Sequence, residues 1–353
     1  MMKSILSMHP VWTIVWRPIF AVMMITLIIG PTHLFASETA AGLCMQNLLE
    51  NGDDDLTLGE IRAQCAQTDS AGTVVEVTEE SAINTSVTHR LGADREAAAR
   101  PFSILAHKPN YVLAGVYNAE GWDPDLYRQA FDDPDYENED VEAQFQISIK
   151  VPLAIDLFGD RMDIYAAYTN RSFWQVFNSE YSEPFRETNH EPELWLQFKN
   201  DWQIFGLTNA VNTVGWVHQS NGRAGVLSRS WNRVYANFIF EKDNYVLSFK
   251  PWLWISKDKQ TSDNPDITDF MGHGEFRAAW HRNRHVVSMM LRNQIESGFE
   301  EGAVELGWSF PVFDYPYLKG YVQYFYGYGE SLIDYDRKVN RIGIGISLTD
   351  WID

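Results

Sequence analysis

Only two cysteines, Cys44 and Cys65, occur in 353 residues, both close to the N-terminus. Two thiolates with no histidine nearby make an incomplete zinc site. The acidic run Asp53, Asp54 and Asp55 between them lacks the glycine and the ligand spacing of an EF-hand, so it reads as a solvated loop. Basic residues are scarce: Lys+Arg is 28 against 48 Asp+Glu, a formal charge of −20. A duplex nucleic-acid binder needs a basic stripe to displace counterions, and this balance excludes one. Past the N-terminus no apolar run approaches the roughly 20 residues of a spanning helix. Mean hydropathy is slightly negative, at −0.28. A multi-helix membrane protein is therefore excluded.

What is abundant is aromatic: 13 Trp, 16 Tyr and 20 Phe. The N-terminus carries Lys3 and Arg17, an apolar run over 19–29 and small residues up to Ala36. That is a secretory signal peptide, residues 1–36, cleaved near Ala36. Export implies an oxidising compartment, so Cys44 and Cys65 are expected to form a disulfide. Residues 37–100 are polar and poor in aromatics, and read as a periplasmic N-terminal extension.

From Pro101 to Asp353 the dominant signal is alternation. Ile342, Ile344, Ile346 and Leu348 alternate with Gly343, Gly345, Ser347 and Thr349. Phe145, Ile147, Ile149 and Val151 alternate with Gln144, Gln146, Ser148 and Lys150. Phe270, Phe276, Ala278 and Trp280 share one parity, and His273, Glu275, Arg277 and His281 the other. A period of two with one apolar face is a strand signature. Twelve such segments begin near residues 108, 140, 162, 191, 201, 229, 244, 267, 285, 302, 316 and 338. Short connections at 158–160, 199–201, 241–244, 282–284 and 313–316 alternate with long ones around 119–138, 174–190, 221–228, 256–266, 295–301 and 327–337. Strands of about ten residues, an even count and this asymmetry of loops predict an all-β fold: a twelve-stranded antiparallel transmembrane β-barrel, residues 101–353, following the polar extension. Closure leaves no backbone edge in hydrocarbon. The chain ends Trp351-Ile352-Asp353, whereas bacterial outer-membrane barrels usually end on an aromatic residue.

The fifth segment closes with Trp216-Val217-His218-Gln219-Ser220-Asn221-Gly222. His218 and Ser220, two apart, leave the same face. In the sixth segment the even positions Val234, Ala236, Phe238 and Phe240 are apolar and face lipid, and Asn232 shares their parity. The odd positions Trp231, Arg233, Tyr235 and Asn237 face the interior. Three polar groups on a lipid-facing wall are costly unless they serve a function. Ser220 would be a nucleophile, His218 its base and Asn232 the group that orients the imidazole. The neutral amide avoids placing a charge where desolvation is expensive. From spacing alone a His-x-Ser pair also suits a polar loop rim. A passive porin, or a barrel acting on lipopolysaccharide, are the competing readings. A lumen filled by Arg233, Glu275 and Arg277 would conduct poorly.

The run His218-Gln219-Ser220-Asn221-Gly222 with Asn232 resembles the bacterial outer membrane phospholipase A family. Pro184-Phe185-Arg186-Glu187-Thr188-Asn189 and the stretch from Tyr326 to Tyr335, read as YGYGESLIDY, agree with it. The resemblance covers roughly residues 100–350. It implies a Ser-His-Asn triad of Ser220, His218 and Asn232, with the backbone N–H of Gly222 in the oxyanion hole. It implies calcium-dependent hydrolysis of phospholipids and lysophospholipids at either acyl ester in the outer leaflet. The calcium ligands it implies are the Ser228 side chain, the Arg223 carbonyl and the Ser182 carbonyl from a second copy. It further implies activation by reversible homodimerisation. At the dimer-interface position the family's glutamine is replaced by the shorter Asn170.

Overall fold

A computed structural model describes residues 86–100, 102–183, 185–255, 262–293, 300–313, 315 and 317–351. The expected signal peptide, Cys44, Cys65 and the acidic run lie outside the described residues. Twelve long strands dominate: β1 (Asn110–Asn118), β2 (Val141–Asp156), β3 (Met162–Trp174), β4 (Glu187–Lys199), β5 (Leu207–Ser220), β6 (Ser230–Lys242), β7 (Tyr245–Trp254), β8 (Gly274–Arg282), β9 (His285–Asn293), β10 (Gly302–Pro311), β11 (Lys319–Gly327) and β12 (Val339–Thr349). Each pairs antiparallel with its neighbours, and β12 pairs with β1, so the sheet closes. The twelve-stranded barrel expected from the alternation is the fold observed.

Parity sets the two faces. Ile342, Ile344, Ile346 and Leu348 of β12 point outward, with Ile344 62% exposed, while Arg341 and Ser347 are buried within. On β2, Ile147 and Ile149 are exposed and Gln144, Ser148 and Lys150 are buried. Leu194, Leu196, Trp216, Phe249, Leu253, Val287, Leu306 and Trp308 extend the outer apolar wall. So wide an apolar surface suits lipid and not water. Among the described residues no helix is long and apolar enough to cross a membrane.

The lumen is filled rather than open. Arg277 pairs with Glu275 and Glu305, Arg171 with Glu330 and Glu305, Arg233 with Glu191, and both Lys108 and Lys250 with Glu193. Between these groups a cavity of about 320 Å³ remains. This is the lumen anticipated from Arg233, Glu275 and Arg277.

Two connections depart from expectation. The strand expected from residue 267 begins instead at Gly274, because Ile267–Met271 is a short helix ended by Gly272 at φ 63. Phe270 shares parity with Phe276, which makes helix and strand indistinguishable there by period alone. Strand β5 was expected near 201 and starts at Leu207. Gln203–Ile204 folds back on Leu207 and Thr208 through Phe205 and Gly206, both at positive φ. Two consecutive left-handed residues give a turn whose twist matches the strands.

The helix α1 (Ser86–Ala98) precedes the barrel, in sequence assigned to the extension. It joins the short-turn rim. Arg95 pairs with Asp156 at 2.7 Å and Asp163 at 3.0 Å, Asp94 with Lys150, and Thr88 donates to Glu241 at 2.8 Å. Arg90 donates to the carbonyls of Trp351 and Asp350 near the end of the chain.

Candidate active site

The site lies where β5 and β6 meet the long-loop rim. Register places His218 directly opposite Asn232 and Ser220 opposite Ser230. Their shared outward parity follows from the strand period of two. His218 Nδ1 is 3.0 Å from Asn232 Oδ1. An amide oxygen only accepts, so Nδ1 carries the hydrogen and Nε2 keeps its lone pair. Trp216, two residues back on the same face, stacks on His218 with ring centroids 6.4 Å apart and planes 18° apart. Amide and indole together hold the imidazole in one orientation. Ser220 is half-buried, at the last position of β5.

The loop after β5 is built around Asn221, which is buried. Its Oδ1 accepts from the backbone N–H of Arg229 at 3.0 Å and of Arg223 at 3.3 Å. Its Nδ2 donates to Leu227 O at 2.8 Å and to Glu187 at 3.3 Å. One side chain thus closes 221–229 into a compact turn. Gly222 follows at φ 65, a left-handed conformation that favours glycine.

The three residues expected to supply oxygen to a cation, Ser182, Arg223 and Ser228, all lie on long connections between strands. Ser228 Oγ donates to Asp263 Oδ2 at 2.6 Å at an exposed position. Arg223 reaches across to the carbonyls of Phe185 and Arg186, linking its loop to the one that carries Ser182. The Ser182 carbonyl accepts from Trp174 Nε1 at 2.8 Å, which leaves its second lone pair. Hydroxyl, carbonyl and carboxylate oxygens are the donor set calcium takes. Among the described residues no cluster of three acidic, histidine or cysteine side chains offers a self-contained metal site.

The stretches 185–189 and 326–335 brace the rim. Arg186, 2% exposed, donates to Glu142 at 2.8 and 3.0 Å and to Asp334 at 2.6 Å, over the face of Trp122. Glu330 binds Arg171 and Arg341. Tyr127, on the loop helix α2 (Asp125–Phe131), donates to Arg186 O at 2.9 Å. Burial raises its phenol well above the ordinary range and keeps it a donor.

Sequence reasoning missed one neighbour. His190 on β4 pairs in register with Ser220. Its row, Pro192, Leu194, Leu196 and Phe198, is apolar, the same signal that singled out Asn232. Asn170, noted only as a shortened amide, lies beside it on β3.

A family model described as Phospholipase A1 matches residues 87–348, so the match already includes α1. Phospholipase A1 of Klebsiella pneumoniae is 38% identical over 252 residues, 71% of this chain and 84% of that protein. Phospholipase A1 of Escherichia coli K12 is 36% identical over 280 residues, covering 79% and 91%. The solved outer membrane phospholipase A from Escherichia coli superposes with a TM-score of 0.64 at 34% identity, over 71% of this chain and all of that one. The Salmonella typhi outer membrane phospholipase, solved as a dimer with bound calcium, gives 0.64 at 34% identity over 72% and 96%.

Proposed function

Because the chain belongs to the phospholipase A1 family of outer-membrane ester hydrolases, we propose that it cleaves phospholipid acyl esters in the outer leaflet through Ser220, His218 and Asn232. The observation that carries this reading is the 3.0 Å contact of His218 Nδ1 with Asn232 on the lipid-facing side of the wall. It leaves Nε2 as the base on the face that Ser220 shares.

Ser220 Oγ attacks the ester carbonyl and its proton passes to His218 Nε2. Negative charge develops on the carbonyl oxygen, where the backbone N–H of Gly222 would donate. The C–O bond to glycerol breaks, the departing alkoxide takes the proton from His218, and an acyl-Ser220 remains. Water then loses a proton to His218 and attacks the acyl carbon, releasing fatty acid and regenerating Ser220. Asn232 holds the imidazole and stays neutral throughout. Nothing in this scheme distinguishes the two esters, so lysophospholipid is a substrate as well. Arg223 O and Ser228 Oγ, with Ser182 O of a second copy, would hold a calcium ion whose charge would steady the oxyanion. Sharing that ion between copies makes the homodimer the active form.

The test is fatty-acid release from phospholipid in detergent micelles, with and without calcium, for the wild type and Ser220→Ala. Release that needs both Ser220 and calcium is expected. Undiminished release by Ser220→Ala, in a variant that still migrates as a folded barrel, sinks the assignment.

A further inference from the structure

On that reading of Ser220, we propose that His190 is a further catalytic residue: its Nε2–H donates to the acyl carbonyl oxygen as a second oxyanion donor beside the Gly222 N–H. Directly opposed residues on antiparallel strands have Cβ atoms about 4.5–5.5 Å apart, and His190 stands in that relation to Ser220. The ring edge lies over the glycine. A Cβ placed on Gly222 would be 3.5 Å from both Nε2 and Cδ2 of His190. Nucleophile, proposed oxyanion N–H and imidazole edge therefore meet in one corner.

The tautomer follows from the hydrogen-bond partners of Nδ1. Tyr168 Oη lies 2.6 Å from it and Asn170 Nδ2 3.5 Å. Ser172 donates its hydroxyl to Asn170 Oδ1 at 3.0 Å, with the amide nitrogen toward His190, and lies 3.2 Å from Thr188 Oγ1. With the phenol donating to Nδ1, the ring hydrogen sits on Nε2, and that tautomer is part of the proposal. The two histidines are thus fixed in opposite tautomers. His218 presents a lone pair at Nε2 and His190 presents an N–H. One suits proton abstraction, the other stabilisation of developing negative charge.

The test uses the full-length protein in micelles with calcium. His190→Phe keeps the ring volume and removes the donor; His190→Gln replaces the donor. Removing one oxyanion donor lowers kcat by on the order of 10²–10³-fold, so a loss of that size with KM little changed is expected for His190→Phe, with most of it recovered in His190→Gln. The same loss is expected on a phosphate-free ester such as a p-nitrophenyl acyl ester. Dimer fraction is read in parallel by sedimentation. A kcat within twofold of wild type overturns the proposal. So does a loss that only tracks the dimer fraction, or one confined to phosphate-bearing substrate. Ser220→Ala run alongside separates the two claims. If it retains hydrolysis the proposed site itself fails; if it is dead while His190→Phe is unimpaired, only the role of His190 falls.

Discussion

The two faces of this barrel wall solve the same problem in opposite ways. Inside, polar groups are charged and paired in networks: Lys108 and Lys250 on Glu193, Arg277 between Glu275 and Glu305, Arg186 between Glu142 and Asp334. Outside, the patch across β3 to β6 is made of hydroxyls, amides, imidazoles and a phenol, and its central contact is His218 with Asn232. A lumen enclosed by protein can collect counter-charges from every strand. A lipid-facing side chain has partners only in its own plane, so a charged one there would stay poorly solvated. The difference teaches that the outer wall keeps its polar groups uncharged and hydrogen-bonded in one plane, while the lumen pairs its charges across strands.

The comparison can be broken in several ways. The largest effect belongs to Ser220→Ala. If the outer patch is catalytic, hydrolysis falls by on the order of 10⁶-fold, as for loss of a triad nucleophile, with thermal stability unchanged. Next is Arg186→Ala, which leaves Glu142 and Asp334 as uncompensated charges at the mouth of the lumen. Breaking a buried pair costs about 3–5 kcal/mol, read as a lower urea midpoint for unfolding in micelles. A shift under about 1 kcal/mol would mean water already screens that network. Chelation of calcium should lower kcat by roughly 10²-fold or more if the ion acts at the oxyanion, and should shift sedimentation toward monomer. Activity that persists under full chelation removes Arg223, Ser228 and Ser182 from the site. The smallest expected effect is Ile344→Arg, a charge on the bare outer wall. A cost of about 2–4 kcal/mol is expected if Ile344 sits near mid-bilayer, while a cost near zero would place it at the interface.

Much of this was legible in the chain. The rows Ile342 to Leu348 and Phe145 to Val151 fall on the outer wall because lipid on one side forces a strict period of two. Asn232 stood out because a lone amide interrupts such a row. The same test applied to β4 would have found His190, but its meaning depends on pairing with Ser220, a partner thirty positions on and across a strand boundary. The helix at Ile267–Met271 hid for a different reason, since short apolar runs satisfy both periods.

The sequence by itself determined the barrel, the number of its strands, which face of each meets lipid, and the candidate trio of His218, Ser220 and Asn232. These are consequences of local alternation against a fixed solvent. Only the tertiary structure decided the register that sets His218 opposite Asn232 and His190 opposite Ser220. It also decided the bracing of the rim by Arg186 with Asp334 and the packing of α1 against the short-turn rim. Those contacts join residues on different strands, and a registry is fixed by the geometry of the turn between strands, such as the one Asn221 closes between β5 and β6, which strand periodicity alone does not give.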